Sequence, residues 1–524
     1  MKKHSMKIVA ALLAAAITLS ACGQADPSGG GASASGAGGS PSNNASAVED
    51  LIVIVPAMPV SLDPHVSNDL NSAQITRQMR ETLLVRNWDT DEIMPGLAVA
   101  WDMPDAYTLN MELRQGVYFH NGEPFTARDV QFTIERALSS SGVRAIVETI
   151  EEVVINDDHN ITILLNRPFV AILAQLTHSA TQIVNETAIL AAGDYYHESP
   201  VGTGPFVFDN IVLGDRVEMV RNENYWGTPP AVSRATFRVI PEASNRLIEV
   251  ETGNAHIAIN INPHDIPRVE ESPNIQLHRR MNFTTSFIGF NVQVEPFNDP
   301  RVRHAISYAI NTEALVDSVF MGTGRQVNGF LPNTIWAYVD DLEPYEFNID
   351  RANELMAEAG LEDGFSTTIW FNSDSQQRGD IANIVQSQLR QINIDVTPES
   401  MEWATYLGRL AQGEHDMFIL QWTHTTGEPD NGIFNVFHST NHGGPGNRQF
   451  YTNPIIDDLI EQSRAELNIS RRRELLEEIQ RIIRDDAPQV FLQQSEELLV
   501  SVPNIRGFEV SPASLHLVHT VYFE

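Results

Sequence analysis

The chain has 524 residues, 42% of them hydrophobic, and its formal net charge at pH 7 is −34. That length exceeds what one compact core usually supports, which excludes a single small domain and predicts two or more lobes. The acidic balance disfavours nucleic-acid binding, because contacts to phosphates need an excess of basic side chains.

The N-terminus has the pattern of an export signal. Three lysines precede an apolar run at residues 8–19, which is shorter than the ~20 residues that a membrane-spanning helix needs. The run ends in Leu19-Ser20-Ala21-Cys22, and small residues ahead of a cysteine are typical of lipoprotein processing. We therefore predict a lipoprotein signal peptide at residues 1–21 and an acylated Cys22 that anchors the chain to the cell membrane. The expected location is extracytoplasmic, at the outer leaflet of the cytoplasmic membrane or in the periplasm.

Two side-chain counts narrow the chemistry further. Cys22 is the only cysteine, so disulfides and cysteine-built metal sites are excluded for the mature chain. Three of the 34 basic residues are lysines, all in the predicted signal peptide, and the other 31 are arginines; phosphate-loop and Schiff-base lysines are thereby removed from consideration. Residues 22–47 are dominated by Gly, Ser, Ala and Asn, which predicts a flexible tether.

The segment after the tether mixes strands and helices. A buried-type strand is predicted at Leu51–Val55, followed by a helix whose apolar residues Ile75, Met79, Leu83 and Leu84 follow the 3.6 period. Strict alternation then predicts a half-buried strand at residues 107–114, and Thr126 with Asp129 caps the next helix. A hairpin of residues 153–155 and 161–165 closes a predicted subdomain inserted in this half. The class is α/β.

The second half alternates helices with short strands, which predicts a second sheet with crossover helices. A long amphipathic helix at residues 469–483 precedes two predicted strands, 490–492 and 498–502, that return to the first half and form a hinge. The other predicted elements are helices at 301–310, 351–359, 381–392 and 404–411 and strands at 367–371, 394–397 and 417–420.

Five segments carry a resemblance to a known family. The longest, Asn298 to Asn311, begins with a capping Asn298 or Asp299 and a proline in the first helical turn, and its apolar stripe marks it as scaffold. The other four are Ser61-Leu62-Asp63-Pro64-His65, Leu113 to Gly122, Val201 to Phe206 and Asn224-Tyr225-Trp226. On these segments the chain resembles, over nearly its whole length, the extracytoplasmic solute-binding proteins of peptide, nickel and glutathione importers, family 5.

The resemblance implies a fold and a division of the chain. The fold is an α/β, two-lobed clamshell of the periplasmic-binding-protein type II class, with an extra subdomain inserted in the first lobe. Lobe I is expected at residues 48–281 and 497–524, with the inserted subdomain at about 86–199, and lobe II at residues 282–496. Ligand is expected in the cleft, where closure of the hinge creates a shape that an importer senses.

The implied function is a substrate-binding lipoprotein of an ATP-binding-cassette (ABC) importer, which captures di-, tri- or oligopeptides and delivers them to the transmembrane permease. A glutathione-binding or a nickel-chelate- or haem-binding member of the family is the alternative, and a peptide sensor without transport is another class. An exported enzyme is disfavoured, because the chain has no Gly-x-Ser-x-Gly, no His-Glu-x-x-His and no nucleophilic cysteine. We expect a monomer without a cofactor.

The resemblance places candidate ligand contacts in one stretch of lobe II. In dipeptide-binding relatives an aspartate in a Trp-Thr-Gly-Asp stretch receives the ligand's α-amine, and here Thr425 occupies that position. Glu428 or Asp430 is expected to compensate. Thr425, Thr426 and Glu428 are similar to the Ser-Thr-Gly-Glu pattern of glutathione-binding relatives, so glutathione is a rival ligand. Trp422 is either a platform for the ligand or a packing residue.

Two arginines are candidates for holding a ligand carboxylate. Arg378, at the start of a predicted helix, and Arg448 can each grip a carboxylate through two parallel hydrogen bonds, and a surface salt bridge is the alternative for both. The remaining candidate ligand contacts are Asn291 and, as the opposing loop of lobe I, Asn68, Asp69 and Asn71.

Three histidines allow a metal or haem site to be considered. His438 and His442 are four residues apart, as on one helix face, and His424 lies nearby in the sequence. The serine, threonine and asparagine between them favour a polar loop instead, so no metal ligand is predicted.

Overall fold

The structure is a computed structural model that describes residues 50–90, 92–198, 200–444 and 446–524. The predicted signal peptide, Cys22 and the tether lie outside the described residues. Among the helices of the described part, none is long and apolar enough to cross a membrane.

Strands and helices alternate through most of the described chain. The strands are β1 Asp50–Val55, β2 Leu84–Arg86, β3 Ile93–Pro95, β4 Ala98–Asp105, β5 Thr108–Leu113, β6 Ile150–Asp157, β7 Asn160–Leu165, β8 Phe206–Val212, β9 Arg216–Arg221, β10 Arg234–Val239, β11 Ile257–Ala258, β12 Gln276–Phe290, β13 Arg325–Gln326, β14 Phe365–Asn372, β15 Ile394–Met401, β16 Met417–Thr423, β17 Gln489–Ser501, β18 Ile505–Arg506 and β19 Tyr522–Phe523. The α-helices are α1 Leu70–Thr76, α2 Ala127–Leu138, α3 Arg144–Val147, α4 Ile172–Gln175, α5 Glu186–Ala192, α6 Ala243–Glu251, α7 Ile266–Glu271, α8 Pro300–Ala309, α9 Thr312–Phe320, α10 Ile349–Glu358, α11 Gln376–Leu389, α12 Trp403–Ala411, α13 Pro429–Phe437, α14 Pro454–Ala465 and α15 Ile469–Asp486.

One mixed sheet runs through both lobes. Its strand order is β15-β14-β16-β12-β17-β11-β1-β10-β9-β8, with β13 paired to β17. β1 is parallel to β10 and β11, β14 is parallel to β15 and β16, and β12 is antiparallel to both β16 and β17. The predicted second sheet is therefore continuous with the first, because β12 and β17, with 15 and 13 residues, are long enough to serve both lobes.

The two long strands differ from the strands predicted from the sequence. The predicted strands at 490–492 and 498–502 are one strand, β17, because the polar residues between them go on pairing with β12 and β13. The register of the β12–β17 ladder shifts between Met281 and Thr285 and again at Ser286. The predicted lobe boundaries, 281 and 497, fall at this irregularity, where a ladder bends most easily.

The predicted helix after β1 is shorter than its apolar pattern suggested. α1 ends at Thr76, and the carbonyl groups of Gln78 and Met79 accept hydrogen bonds from the amides of Phe206 and Gly204 instead of continuing the helix. Met79 and Leu83 are buried all the same. The apolar spacing of these residues therefore reflects their burial in a turn and does not mark one face of a helix.

Other sequence predictions are confirmed. The hairpin of β6 and β7 belongs to a four-stranded sheet, β4-β5-β7-β6, against which α2 packs, and Thr126 and Asp129 form the capping box of α2. In α8, Asp299 caps the helix, Pro300 is its first residue, and the apolar stripe is buried. Arg303 of α8 is also buried and donates to the carbonyl groups of Phe297 and Ala487, so this helix is scaffold, as predicted.

Candidate ligand-binding site

Three adjoining cavities lie between the α1 region of lobe I and the elements α11, α12 and β16 of lobe II. The inner cavity, of about 180 Å³, reaches β12, β17 and the start of α11. The arginine cavity, of about 100 Å³, lies beside it. The outer groove, of about 940 Å³, continues to the loops at residues 139–142 and 440–444. The arginine cavity is lined, among others, by Asn68, Asp69, Arg378, Trp422, Thr425, Asn431 and Arg448.

The structure brings together seven of the eleven predicted ligand contacts. Six of them line the arginine cavity, and Asn71 lines the inner cavity, where Arg378 also opens. The other four, Asn291, Thr426, Glu428 and Asp430, line neither of these two cavities.

Arg378 lies in the first turn of α11, where Ser375 caps the helix by accepting from the Arg378 amide. Its side chain is 9% exposed, donates to Oδ1 of Asn372 and lies 5.7 Å from the centre of the Trp403 ring. Burial lowers the pKa of the Arg378 guanidinium, while nearby Tyr406 and Asp374 oppose this. No carboxylate of the described residues lies within 4 Å of it, so the alternative of a surface salt bridge is excluded there.

Arg448 lines the same cavity and is similarly buried. It is 6% exposed, one terminal nitrogen donates to the Gly444 carbonyl at 3.3 Å, and Nε has no hydrogen-bond partner in the described part of the chain. Burial lowers the pKa of Arg448 to about 10, with Tyr406 and Asp69 opposing the shift, which leaves the side chain charged at neutral pH. As for Arg378, no described carboxylate comes within 4 Å, which excludes a salt bridge to those residues.

Uncharged polar groups face the same space. The Nε1 atom of Trp422, the Oγ1 atom of Thr425 and both side-chain polar atoms of Asn431 are buried and lack a hydrogen-bond partner among the described residues. Buried polar groups normally have partners, so these groups are candidates for contacts to a polar ligand. The sequence analysis did not predict Asn431, although it directly follows the stretch from Trp422 to Asp430 that holds five of the candidates.

The wall from lobe I ends in the cap of α1. Asp69 accepts from the Ser72 amide at 3.0 Å and from Ser67 Oγ at 2.8 Å, which fixes its carboxylate at the rim of the arginine cavity. Trp403 of lobe II lies across from it, with Nε1 at 3.5 Å from Asp69 Oδ1. The cavity is thus closed by side chains of both lobes.

Glu428 and Asp430 need a correction. Oε2 of Glu428 lies 3.3 Å from Arg472 and accepts from Trp336 Nε1 at 3.2 Å, and Asp430 is paired with Arg464 at 3.0 Å. Burial raises the pKa of Glu428, with Arg472 opposing the rise. Both carboxylates are already paired within the scaffold and lie outside the cavity lining, so neither stands in for the aspartate that Thr425 replaces.

Thr426 and Asn291 also have scaffold contacts. Thr426 is fully buried, and its carbonyl accepts from Arg86 at 2.6 Å, a contact that joins the two lobes. The following Gly427 has φ +72°, and a Cβ there would lie 2.9 Å from the Arg86 guanidinium carbon, so glycine is required at this turn. The Asn291 amide donates to the carbonyl groups of Gly413 and His415 at 3.1 Å, which leaves it no donor for a ligand.

The three histidines do not form a cluster. α13 ends at Phe437, and His438 caps a short 3₁₀ turn at 439–441, so His438 and His442 do not share a helix face. His424 is fully buried, and burial lowers its pKa to about 3. Within the described ranges, no group of three or more His, Cys, Asp or Glu side chains is placed to hold a metal ion.

A two-lobed α/β fold with a polar cavity closed by both lobes defines a solute-binding protein of the periplasmic type. The model of the bacterial extracellular solute-binding proteins, family 5, matches residues 92–444, and the chain belongs to this family. The resemblance drawn from its sequence segments is thereby confirmed. Members of the family are extracytoplasmic binding proteins, not enzymes.

Relatives with known ligands include several classes. The chain is 28% identical to the dipeptide-binding protein of Escherichia coli K12, over 83% of this chain and 87% of that one. It is also 28% identical to the glutathione-binding protein GsiB of Shigella flexneri, over 89% and 93% of the two chains. Among solved structures, DppA of Helicobacter pylori in complex with the peptide STSA superimposes with a TM-score of 0.86 at 29% identity, covering 91% of this chain and 98% of that one.

Proposed function

We propose that this chain is the lipid-anchored substrate-binding subunit of an ABC importer and captures short peptides outside the cytoplasmic membrane. The observation that carries the proposal is the arginine cavity, in which two buried cations that have no carboxylate partner among the described residues face a space between the lobes. A peptide supplies a carboxylate, amide carbonyl groups and amide hydrogens, which match these arginines and the unpaired groups of Trp422, Thr425 and Asn431.

Closure follows from the position of the contacts. Asp69 on lobe I and Arg378 and Arg448 on lobe II line one cavity, so a ligand touches all of them only when the lobes are together. Lobe I comprises residues 48–281 and 497–524, with the inserted subdomain at about 86–199, and lobe II comprises residues 282–496. The bend is located where β12 and β17 shift register, and the closed shape is what the permease engages.

Glutathione is the second candidate within this function. A glutathione-binding relative that aligns over 89% of this chain favours it. The family also has members that bind nickel chelates or haem. A peptide sensor that does not support transport would have the same fold. The acylated Cys22 and the tether at 22–47 hold a monomer near the permease on the outer face of the membrane.

The test is a ligand screen on the chain that begins at residue 23. Thermal unfolding is measured with di-, tri- and pentapeptides, glutathione, nickel–histidine and haem. At a ligand concentration of about 100 times Kd, binding stabilises the folded state by about 2.7 kcal/mol, which gives a clear shift in Tm. The proposal expects this shift for peptides or glutathione, and a shift with the metal complexes alone contradicts it.

Anchoring and transport need separate experiments. Acyl labelling in cells is expected for the full chain and not for a Cys22→Ala variant. Deleting the gene is expected to abolish uptake of the stabilising peptide, whereas a sensor leaves uptake unchanged.

A further inference from the structure

We propose that the arginine cavity selects ligands with two anionic groups, namely short peptides or peptide-like acids that carry a second carboxylate besides the C-terminal one. This inference rests on the proposed function and narrows its ligand class. Its basis is that two buried arginines line one donor-rich cavity, while Arg378 also lines the inner cavity and Arg448 also lines the outer groove.

Each arginine has most of its hydrogen-bonding capacity unused. A guanidinium has five N–H donors. Arg378 donates to Asn372 and Arg448 donates to Gly444, and those are the only hydrogen bonds that the described residues provide for these two side chains. Burying a charge without an opposite charge is costly, so two such groups in one cavity are explained by anions that arrive with the ligand.

The two arginines border different neighbouring cavities. Arg378 lines both the arginine cavity and the inner cavity, and Arg448 lines both the arginine cavity and the outer groove. Asn372 and Trp403 are the neighbours of Arg378, whereas Gly444 is the neighbour of Arg448. Because the two arginines have different neighbours, each can hold an anionic group of its own, and a single carboxylate shared by both is the alternative that the Arg448 variant separates.

The other residues that line the arginine cavity also favour an anionic ligand. Trp422 Nε1 can only donate, and the side chains of Thr425 and Asn431 add further donors to the lining. The one carboxylate of the described lining is Asp69, which already accepts from Ser67 and Ser72. His178 also lines the cavity, and because burial lowers its pKa to about 3 it is neutral at pH 7.

The experiment compares peptides that differ only in one charge. Isothermal titration of the unmodified protein is done with Ala-Glu against Ala-Gln and with Glu-Ala against Gln-Ala. We expect the acidic member of at least one pair to bind about tenfold or more tightly, since a charge-assisted bidentate contact is lost in the amide. Equal affinity within both pairs, or tighter binding of the amides, overturns the proposal without any need for a variant.

The variant Arg448→Gln then assigns the second anionic group. It is expected to remove the preference for the acidic peptide, because it weakens binding of the acidic peptide about tenfold more than binding of the amide partner. Arg351→Gln, which removes an exposed arginine on α10, is the matched control for net charge and is expected to keep the preference. If Arg448→Gln weakens acid and amide equally, one carboxylate bridges both arginines and the proposal fails.

The outcomes also separate this inference from the proposed function. If neutral peptides bind and acidic ones have no advantage, the inference fails and the peptide-binding function stands. If no peptide of any length or charge binds but the dicarboxylate glutarate does, the peptide-binding function fails and the selection for two anionic groups stands. If neither peptides nor glutarate bind, both are overturned.

Discussion

Four of the five buried arginines at residues 282–496 divide into two pairs with opposite surroundings; the fifth, Arg303, donates to backbone carbonyl groups. Arg464 and Arg472 are each 2% exposed; Arg464 contacts Asp430 at 3.0 Å and Glu148 at 2.8 Å, and Arg472 contacts Glu428 at 3.3 Å. Arg378 and Arg448 are nearly as buried, yet no described carboxylate lies within 4 Å of either. The two pairs are buried to a similar degree, but only Arg464 and Arg472 have carboxylates of the described residues beside them.

The difference separates scaffold from site. A buried ion pair satisfied within the chain is costly to break and leaves no charge for a ligand. A buried cation with no carboxylate and few hydrogen bonds among the described residues destabilises the free protein, and in the proposed function the ligand supplies its anion. The paired arginines also explain why Glu428 and Asp430, which look available in the sequence, are withdrawn from the cavity.

The largest effect on stability is expected at Arg464. Arg464→Met leaves Asp430 and Glu148 without their cation, and the free energy of unfolding is expected to fall by about 3–5 kcal/mol. Urea denaturation of the ligand-free protein measures this. The double variant Arg464→Met with Asp430→Asn is the control and is expected to recover part of the loss, and a loss below about 1 kcal/mol would place Arg464 with the unpaired group.

The second effect is a loss of stability at low pH that is caused by the buried His424. Burial holds the pKa of His424 at about 3, against about 6.5 when unfolded. The unfolded chain therefore binds a proton that the folded one does not, so stability is present above pH 6.5 and is lost as the pH falls toward 3. His424→Leu is expected to flatten the decline between pH 6 and 4 by about 1.4 kcal/mol per pH unit. Identical pH profiles for the two proteins contradict this.

A smaller change, of opposite sign to the first, is expected at Arg378. Arg378→Met removes a buried charge that has no counter-ion, so the ligand-free protein is expected to be as stable as the original or more stable by up to about 1 kcal/mol. The same urea titration measures it. A destabilisation comparable to that of Arg464→Met would mean that Arg378 is scaffold.

The smallest effect is expected at an exposed pair. Arg351 and Glu354 on α10 contact each other at 2.9 Å with side chains 41% and 64% exposed. Replacing Arg351 by Ala is expected to change stability by less than about 0.5 kcal/mol. A larger loss would show that exposure does not separate the arginines of this chain as proposed.

Much of the fold was readable from local patterns. Alternation and capping located β5, the β6–β7 hairpin and α2, and the proline and apolar stripe located α8. The end of α1 and the single strand β17 were not readable, because both depend on backbone partners far along the chain, at Gly204 to Phe206 and along β12.

In the candidate site too, contacts between residues that are distant in the sequence could not be predicted. Arg378, Arg448 and the stretch from Trp422 were found from residue type and resemblance, but their pairing states were not. Arg464 and Arg472 follow Asp430 and Glu428 by more than thirty residues, and only the packing of α13, α14 and α15 brings them together. No local pattern distinguishes a carboxylate that is free from one that a later helix neutralises.

The most direct test is a double-mutant cycle between Arg378 and the ligand carboxylate. Binding free energies are measured for the original protein and Arg378→Met, each with the peptide that stabilises it best and with the C-terminal amide of that peptide. A carboxylate held by Arg378 predicts a coupling of about 1.5–3 kcal/mol, because either change alone removes the same contact. Losses that simply add, with no coupling, would contradict the assignment of the arginine cavity as the ligand site.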